Sequence, residues 1–374
     1  MKLLFWGAVA FIVYTYFGYL GWLWFRARMR PCPVHRGTYE PSVSVVMVVR
    51  NEEVVLEKKL QDLLAMDYPP DRYDVVVVSD GSTDRTDEIL RDQSRNPRIR
   101  VLLTQLGRGK ACGLNDALTL ANGEVIMFVD ARQRIEAGAL RLLVENFADP
   151  NVGCVSGALI LGDPDSGESG KGIGLYWRLE KKIRELESAS GSVVGATGAI
   201  YAVRRNVLGV VPEGTILDDV YIPMHIVRRG KRAIFDSTAR AWDRPSLGGA
   251  REFSRKVRTL SGNYQLIQLA PWLLRSDNPI RFEFVSHKLL RLAVPFALAM
   301  LLLTCVALSG TFYSTVLVLQ LMFYALSVLS LTRRFEGGTL ARFADAAGTF
   351  VLLNSAAVVA LANFVSGRRT TWTR

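Results

Sequence analysis

The chain has 374 residues, a formal net charge of +11, 49% hydrophobic residues and a mean hydropathy of +0.18. That length suits one large or two ordinary domains, and the charge fits anionic lipid head groups or an anionic substrate such as a nucleotide diphosphate. Nucleic acid is set aside as a partner, because no basic run interleaved with aromatics occurs; structural zinc is set aside too, because Cys32, Cys112, Cys154 and Cys305 form no CxxC and His35, His225 and His287 have no metal-ligand spacing.

The apolar excess is uneven. Leu3 to Phe25 contains no charge, and a span needs roughly 20 apolar residues. It holds seven Phe, Tyr or Trp residues before Gly21 and no small-x-small cleavage site, so it reads as an anchor and not as a cleaved signal peptide. Arg26, Arg28 and Arg30 follow at once, which places what comes next in the cytoplasm. Residues 1–25 are thus expected to form a transmembrane helix and 26–42 a linker, with Pro31-Cys32-Pro33 and Gly37 to Pro41 as its punctuation.

From residue 43 strands and helices alternate. Val43–Val49 is strand-like; Glu53–Met66 carries a helical stripe of Val54, Leu56, Leu60, Leu63 and Leu64. Val75–Val78 is a strand, Thr83–Gln93 a helix, Ile99–Leu103 a strand, Lys110–Ala121 a helix and Val125–Val129 a strand. Ala137–Phe147 reads as helix and Val152–Leu161 as extended. This rhythm predicts an α/β domain, a mostly parallel sheet with helices on both faces. Asp163 to Gly174, rich in Gly, Ser and Asp, reads as a mobile loop. Tyr176–Ser188 is a charged amphipathic helix, Gly195 to Gly198 a turn, Ile200–Val203 a strand, and Asp218–Val227 and Glu252–Leu269 are helices.

The domain is expected to end near residue 270. Residues 271–288 mix aromatics, apolar residues and charges, as segments in the bilayer interface do. Residues 289–374 form a membrane region of two to three spans. Leu292–Leu331 is a hairpin broken at Ser309-Gly310-Thr311, and Ala346–Val365 is a third candidate. Three full spans would leave the C-terminus outside, whereas Arg368, Arg369 and Arg374 favour the inside, so one C-terminal segment is expected to be re-entrant or interfacial.

Acidic residues fall where this pattern ends its strands. Asp80 closes Asp74-Val75-Val76-Val77-Val78-Ser79, Asp130 closes Val125–Val129, and Glu52 follows the first strand through Arg50-Asn51. Open α/β sheets bind ligands at the carboxyl ends of their strands. The plainer reading is that each carboxylate caps the next helix; for Asp130 the intervening Arg132, Gln133 and Arg134 count against it. After Asp80, Gly81 permits a sharp exit and Ser82 or Thr83 is expected to cap the next helix. Gly107-Arg108-Gly109-Lys110 is not a P-loop, since Thr104 and Ala111 stand where that motif needs Gly and Ser or Thr.

Asn51-Glu52, Asp80-Gly81-Ser82-Thr83-Asp84, Gly109-Lys110 with Leu114-Asn115, Asp130 and Asp218-Asp219 resemble, in order and spacing, the motifs of family 2 glycosyltransferases with the GT-A fold. The layout is most similar to the membrane-embedded branch that includes cellulose, hyaluronan and poly-N-acetylglucosamine synthases. The resemblance implies nucleotide-sugar contacts from Asn51, Glu52, Asp80, Lys110, Asp130, Arg132, Arg255 and Arg258, with Glu52 and Asp80 at the uridine of a UDP-sugar and Lys110 at the diphosphate. It implies Asp219 as general base beside Asp218, with Thr197, Gly198 and Asp218 near the acceptor. It also implies Mg²⁺ or Mn²⁺ on Asp130. Here the chain departs from the family's DxD motif, because Asp130-Ala131-Arg132 has an arginine in the second position. It departs again at the Gln-x-x-Arg-Trp motif, which reads Arg255-Lys256-Val257-Arg258-Thr259. Arg251, Arg255 and Arg258 still stand at i, i+4, i+7 for phosphate; the lost Trp removes acceptor stacking and speaks against processive polymerisation.

The implied activity is inverting transfer from a UDP-sugar to a growing polysaccharide or glycolipid, at the cytoplasmic side of the inner (plasma) membrane. The alternatives are a polyprenyl-phosphate sugar transferase and a non-catalytic membrane scaffold. The implied partners are the UDP-sugar, a saccharide or lipid-linked acceptor and the bilayer; the sequence names no partner subunit.

Overall fold

A computed structural model describes residues 1–162, 175–243, 249–332 and 338–368. The expected loop Asp163–Gly174 lies outside the described residues, as do Arg333, Arg334, Arg369 and Arg374.

Lys2–Met29 is one rod, built of α1 (Lys2–Val13), a π-helical turn at Tyr14–Gly18 and α2 (Tyr19–Met29). Then β1 (Val43–Val49), α3 (Glu53–Leu64), β2 (Tyr73–Asp80), α4 (Thr86–Gln93), β3 (Ile99–Thr104), α5 (Lys110–Leu120) and β4 (Val125–Val129) alternate as the pattern implies. There follow the two-residue β5 (Arg134–Ile135), α6 (Ala139–Glu145), β6 (Val152–Leu161), α7 (Leu175–Ser190), β7 (Ile200–Arg204), α8 (Asp218–Arg228), β8 (Arg232–Asp243) and α9 (Gly249–Leu269). Last come α10 (Arg281–Phe284), a second π-helical turn at Val285–Leu289, α11 (Leu290–Ala307), α12 (Thr311–Thr332) and α13 (Gly338–Val365).

The strands form one eight-stranded sheet in the order β3-β2-β1-β4-β7-β6-β8-β5. β3, β2, β1 and β4 are mutually parallel, so their carboxyl ends share one rim. β7 runs antiparallel between β4 and β6, and β6 pairs in parallel with β8. Every residue of β1 is buried. Val45, Val75 and Met127 enter one core with Leu56 and Leu60 of α3 and Leu140 of α6. Val46, Val76 and Phe128 enter the other with Leu114 of α5 and Met224 of α8. A strand buried on both faces must be apolar at every position, which is why this half was legible.

β8 was not expected. Arg232, Asp236 and Arg240 stand among its apolar residues, and the strand tolerates them because Arg232 and Asp236 are held by partners and Arg240 is exposed. Asp236 is buried but meets Arg36 at 3.1 Å and Asn146 Nδ2 at 2.8 Å.

Among the described residues four helices are long and apolar enough to cross a membrane: Lys2–Met29, Arg281–Ala307, Thr311–Ser330 and Ala341–Val365. The hairpin of α11 and α12 turns where Ser309-Gly310 falls. One boundary differs from expectation. Arg281–Leu289 joins the second of these helices through the π-turn, so only Pro271–Leu274, a 3₁₀ turn, and the residues up to 280 precede it. α13 is one continuous helix. It packs on α9, where Ala356 and Ala360 meet Val257.

Candidate active site

The rim is assembled by caps that interlock neighbouring strand ends. Asn51 adopts a left-handed φ of 54°, uncommon for a residue with a side chain. That turn lets Asn51 Oδ1 accept Thr83 N at 2.8 Å while Asn51 N donates to Ser82 Oγ at 3.2 Å. The helix after β2 has Arg85 at its N-cap with no side-chain cap bond, while the preceding Asp84 Oδ1 accepts Thr86 N at 2.9 Å; Ser82 and Thr83 are engaged with Asn51, which corrects the expected cap. Asp84 Oδ2 also accepts Glu53 N at 3.2 Å, and Glu53 Oε2 accepts Arg85 N at 3.0 Å, so α3 and α4 fix each other's first turns.

Asp80 is only 1% exposed. Its oxygens accept Arg108 N at 2.7 Å and Gly109 N at 2.8 Å. Gly81, at φ +65°, permits this: a β-carbon there would lie 2.4 Å from Gly107 N. Asp80 therefore shapes the 106–109 loop that delivers Lys110 to the first turn of α5. Glu52 does not cap α3 with its side chain; its carboxylate meets Arg132 Nε at 3.2 and 3.4 Å.

Lys110 lies at the centre of an acidic group. Its Nζ is 3.0 Å from Asp130 Oδ1 and 3.3 Å from Asp218 Oδ2. Burial works against the ammonium, but Asp130, Asp218 and Asp219 outweigh it and raise its pKa. Asp219 shows the opposite balance. Burial and then Asp218 push its carboxyl up to about 6, against Lys110, Lys288 and Arg184. Ala196 N donates to Asp219 O at 2.7 Å, locking the Gly195–Gly198 turn to the start of α8. A β-carbon at Gly198 would sit 3.3 Å from Asp219 Oδ2 and 3.6 Å from Asp130 Oδ2. Both oxygens thus face the same small space, kept open by the missing side chain.

Four contributors escaped the sequence reading. Lys59 of α3 is 3% exposed and donates to Gln133 O at 2.6 Å, under the loop that bears Asp130 and Arg132. Burial lowers its pKa to about 7, against Asp130 and Asp62. Gln133 Nε2 donates to Asp243 Oδ2 at 3.3 Å, and Asp243 meets Arg255 Nη1 at 3.7 Å, so this loop is braced to α9. Tyr201 of β7 stacks on Phe128 with centroids 4.8 Å apart. Its buried hydroxyl has no hydrogen-bond partner among the described residues; burial raises its pKa, and Asp218 and Asp219 raise it further. An i+4 spacing within α3 marks Lys59 as facing inward with Leu56, Leu60 and Leu63; that was the available signal.

The structure gathers Asn51, Glu52, Asp80, Lys110, Asp130, Arg132, Thr197, Gly198, Asp218 and Asp219 around this rim. Arg255 is joined to it through Asp243 and also pairs with Glu252 at 2.7 Å. Arg258 is partly buried on α9 and makes no ion pair among the described residues; the side chain of Arg251 lies outside them.

The residues bear on a divalent metal in a specific way. Among the described residues no three His, Cys, Asp or Glu side chains are arranged to hold an ion. Arg132, where a second carboxylate would stand, is turned to Glu52. Asp130 Oδ2 remains directed at the Gly198 space. The set fits an ion that takes one protein carboxylate and draws its other oxygens from substrate phosphates, an ordinary arrangement for Mg²⁺.

Residues 44–211 match the family model Glycosyl transferase family 2. The chain carries a family 2 glycosyltransferase domain. Over 193 residues it is 31% identical to a β-monoglucosyldiacylglycerol synthase of Synechocystis sp., covering 50% of this chain and 40% of that protein. Over 238 residues it is 24% identical to the poly-β-1,6-N-acetyl-D-glucosamine synthase of Staphylococcus aureus, covering 60% of this chain and 55% of that one. The chain thus spans about half or less of these relatives. A mannosyltransferase from Pyrobaculum calidifontis, solved with GDP-Man and Mn²⁺, superposes with a TM-score of 0.76 at 24% identity, over 96% of this chain and 98% of that one. At that identity the likeness is one of fold, and it extends the GT-A architecture of the glycosyltransferase domain through the apolar helices.

Proposed function

We propose that the protein is an inverting, membrane-bound hexosyltransferase that moves a sugar from a UDP-sugar to a growing polysaccharide or glycolipid, with its catalytic domain in the cytoplasm at the inner membrane. The observation that carries this is the convergence of Asp219 Oδ2 and Asp130 Oδ2 on the space at Gly198. Inversion requires a base on the face of the sugar opposite the leaving group. Asp219, with its pKa raised to about 6, is ionised at neutral pH yet basic enough to take the acceptor hydroxyl's proton. The hydroxyl oxygen then bonds to the anomeric carbon as the bond to the diphosphate breaks. Lys110 and Arg258 stabilise the departing charge, and Gly198 lets the acceptor approach the backbone. The relatives named above are a synthase of a glycolipid and a synthase of a polysaccharide, which supports both product classes.

Asp130 would hold Mg²⁺ or Mn²⁺ together with the donor phosphates, and the ion would supply further neutralisation of the diphosphate. Glu52, Asn51 and the loop shaped by Asp80 form the nucleoside end, with Glu52 steadied by Arg132.

The test is a panel of UDP- and GDP-sugars offered to protein in lipid nanodiscs, with nucleoside diphosphate release and partition of labelled product as readouts. Release from a UDP-sugar supports the proposal. Release from GDP-sugars alone replaces the base. No release from any nucleotide sugar overturns the enzyme reading.

A further inference from the structure

Among the described residues a cluster of buried charge outside the rim lies where α7 meets two of the long apolar helices. Glu180, Arg184 and Glu187 stand at i, i+4 and i+7, on one face of α7. Glu187 is fully buried and Glu180 nearly so. Glu187 Oε1 accepts the Tyr19 hydroxyl at 2.7 Å and faces His287 Nδ1 at 2.8 Å. Glu180 faces His287 Nε2 at 3.0 Å, Arg291 Nη1 at 2.8 Å and Lys288 Nζ at 3.8 Å. Burial pushes both carboxyls up, but these partners, His287 foremost, outweigh it and hold both below the usual carboxylate range.

Both apolar helices widen into π-turns at this level, Tyr14–Gly18 and Val285–Leu289. The Tyr14 hydroxyl lies 2.9 Å from Ser286 Oγ, joining one turn to the other. π-turns inside α-helices are frequent at functional sites. Apolar side chains would join helices at no desolvation cost. Buried ion pairs here instead fix α7 in direction and register.

What that fixed face presents to the rim is Arg184. Its Nε is 3.5 Å from Glu180 Oε1, and its Nη1 donates to Thr197 Oγ1 at 2.7 Å. Thr197 directly precedes Gly198. Glu187 Oε2 also accepts Val194 N at 3.3 Å, so the segment leading to Gly198 is attached to α7 twice. We propose that Arg184 is a positioning residue for the acceptor side of the site: it holds Thr197 and Gly198 against Asp219, and the Glu180–His287–Glu187 cluster ties that hold to the apolar helices. This rests on the glycosyl transfer proposed above. Among the described residues neither Arg184 nor the cluster bonds to the strand ends of the nucleoside side, so its loss acts on transfer and not on donor binding.

The experiment compares Arg184→Gln, Thr197→Val and the double variant in nanodiscs, using the best UDP-sugar of the panel. Transfer of label to product and hydrolysis of the donor by water are measured side by side, with UDP affinity by calorimetry. Arg184→Gln leaves Glu180 its contacts with His287 and Arg291, so the fold is kept. Measured on the pH plateau above the Asp219 limb, where loss of the Arg184 charge leaves Asp219 ionised, transfer is expected to fall about 10- to 100-fold, the scale of an ångström's misplacement, while hydrolysis and UDP affinity hold. The double variant is expected to be no worse than the more affected single one, since both remove the same contact. Tyr19→Phe, remote from the rim, is expected to show the same split on a smaller scale. The proposal is overturned by equal losses of transfer and hydrolysis, by additive losses in the double variant, or by normal transfer in Arg184→Gln; an unaffected Tyr19→Phe overturns the tie to the apolar helices. An unmodified protein that releases no nucleotide would instead condemn the transferase reading.

Discussion

Lys110 Nζ lies 3.0 Å from Asp130 Oδ1, so the cation proposed for the donor diphosphate rests on the carboxylate proposed for the metal. Each compensates the other before substrate arrives. The consequence is a coupling: phosphates that draw Lys110 away also release Asp130 Oδ1 to accept another cation. Nucleotide and metal should therefore bind with positive cooperativity, each aiding the other equally.

Lys110→Met tests this pairing. Removing the ammonium leaves Asp130, Asp218 and Asp219 facing one another without compensation. UDP affinity is expected to fall about tenfold or more, the scale of a charge-assisted contact. The carboxyl of Asp219, which Lys110 holds down, is expected to rise above about 6. Calorimetry with UDP and a pH–rate profile check the two effects separately.

As the proposed base, Asp219 should set the pH dependence. Its pKa of about 6 in the folded protein means that turnover should rise with pH through about 6 and then level off. Asp218→Asn, by removing the neighbouring charge that raises it, should move that limb to lower pH. Asp219→Asn should lower transfer roughly 10²-fold or more with UDP binding retained. A carboxyl whose folded pKa is raised costs stability once the pH exceeds its unfolded value, so the same variant should melt higher at pH 7. Near-normal turnover in Asp219→Asn would remove it from the mechanism.

The parallel half of the sheet and its rim were legible because physics leaves those strands little choice. Val75–Val78 is buried on both faces, so it is an unbroken apolar run, and the polar residue that ends it marks the rim. β8 was hidden for the converse reason: its charged residues are answered by partners far away in sequence, such as Asn146 for Asp236. The bracing of the Asp130 loop was hidden likewise, since Lys59, Gln133 and Asp243 come from three elements. Asp80 and Glu52 were legible as rim residues, but not that Asp80 would be spent on backbone N–H groups and Glu52 on Arg132.

Lys59 separates stability from function. An ammonium with its pKa lowered to about 7 by burial costs stability as the pH falls from its unfolded value, near 10.4, toward 7. Stability of the unmodified protein should therefore rise with pH across that window, and Lys59→Met should flatten the rise without lowering the melting temperature at pH 7. The variant also releases Gln133 O, so the loop bearing Asp130 should loosen and the apparent affinity for Mn²⁺ in the presence of UDP should drop. A lower melting temperature with unchanged metal affinity would reduce Lys59 to packing.

The last prediction concerns Arg132. It stands two residues after Asp130, where a second carboxylate would complete a metal site, and it is paired with Glu52 at 3.2 Å. If Asp130 and the donor phosphates hold the ion, EDTA should stop turnover, added Mg²⁺ or Mn²⁺ should restore it, and metal affinity should be weak without UDP, because the substrate supplies most of the oxygen ligands. Arg132→Asp then adds a hard ligand and should tighten Mn²⁺ binding, measured by calorimetry with UDP present. The same substitution sets a second carboxylate against Glu52 in place of an ion pair, so UDP affinity in EDTA should fall while affinity with Mn²⁺ recovers. The two effects have opposite signs in the two buffers, which keeps a general loss of structure from imitating them. Full activity in EDTA would mean that Lys110 and Arg258 neutralise the leaving diphosphate unaided, and would remove the metal from this site.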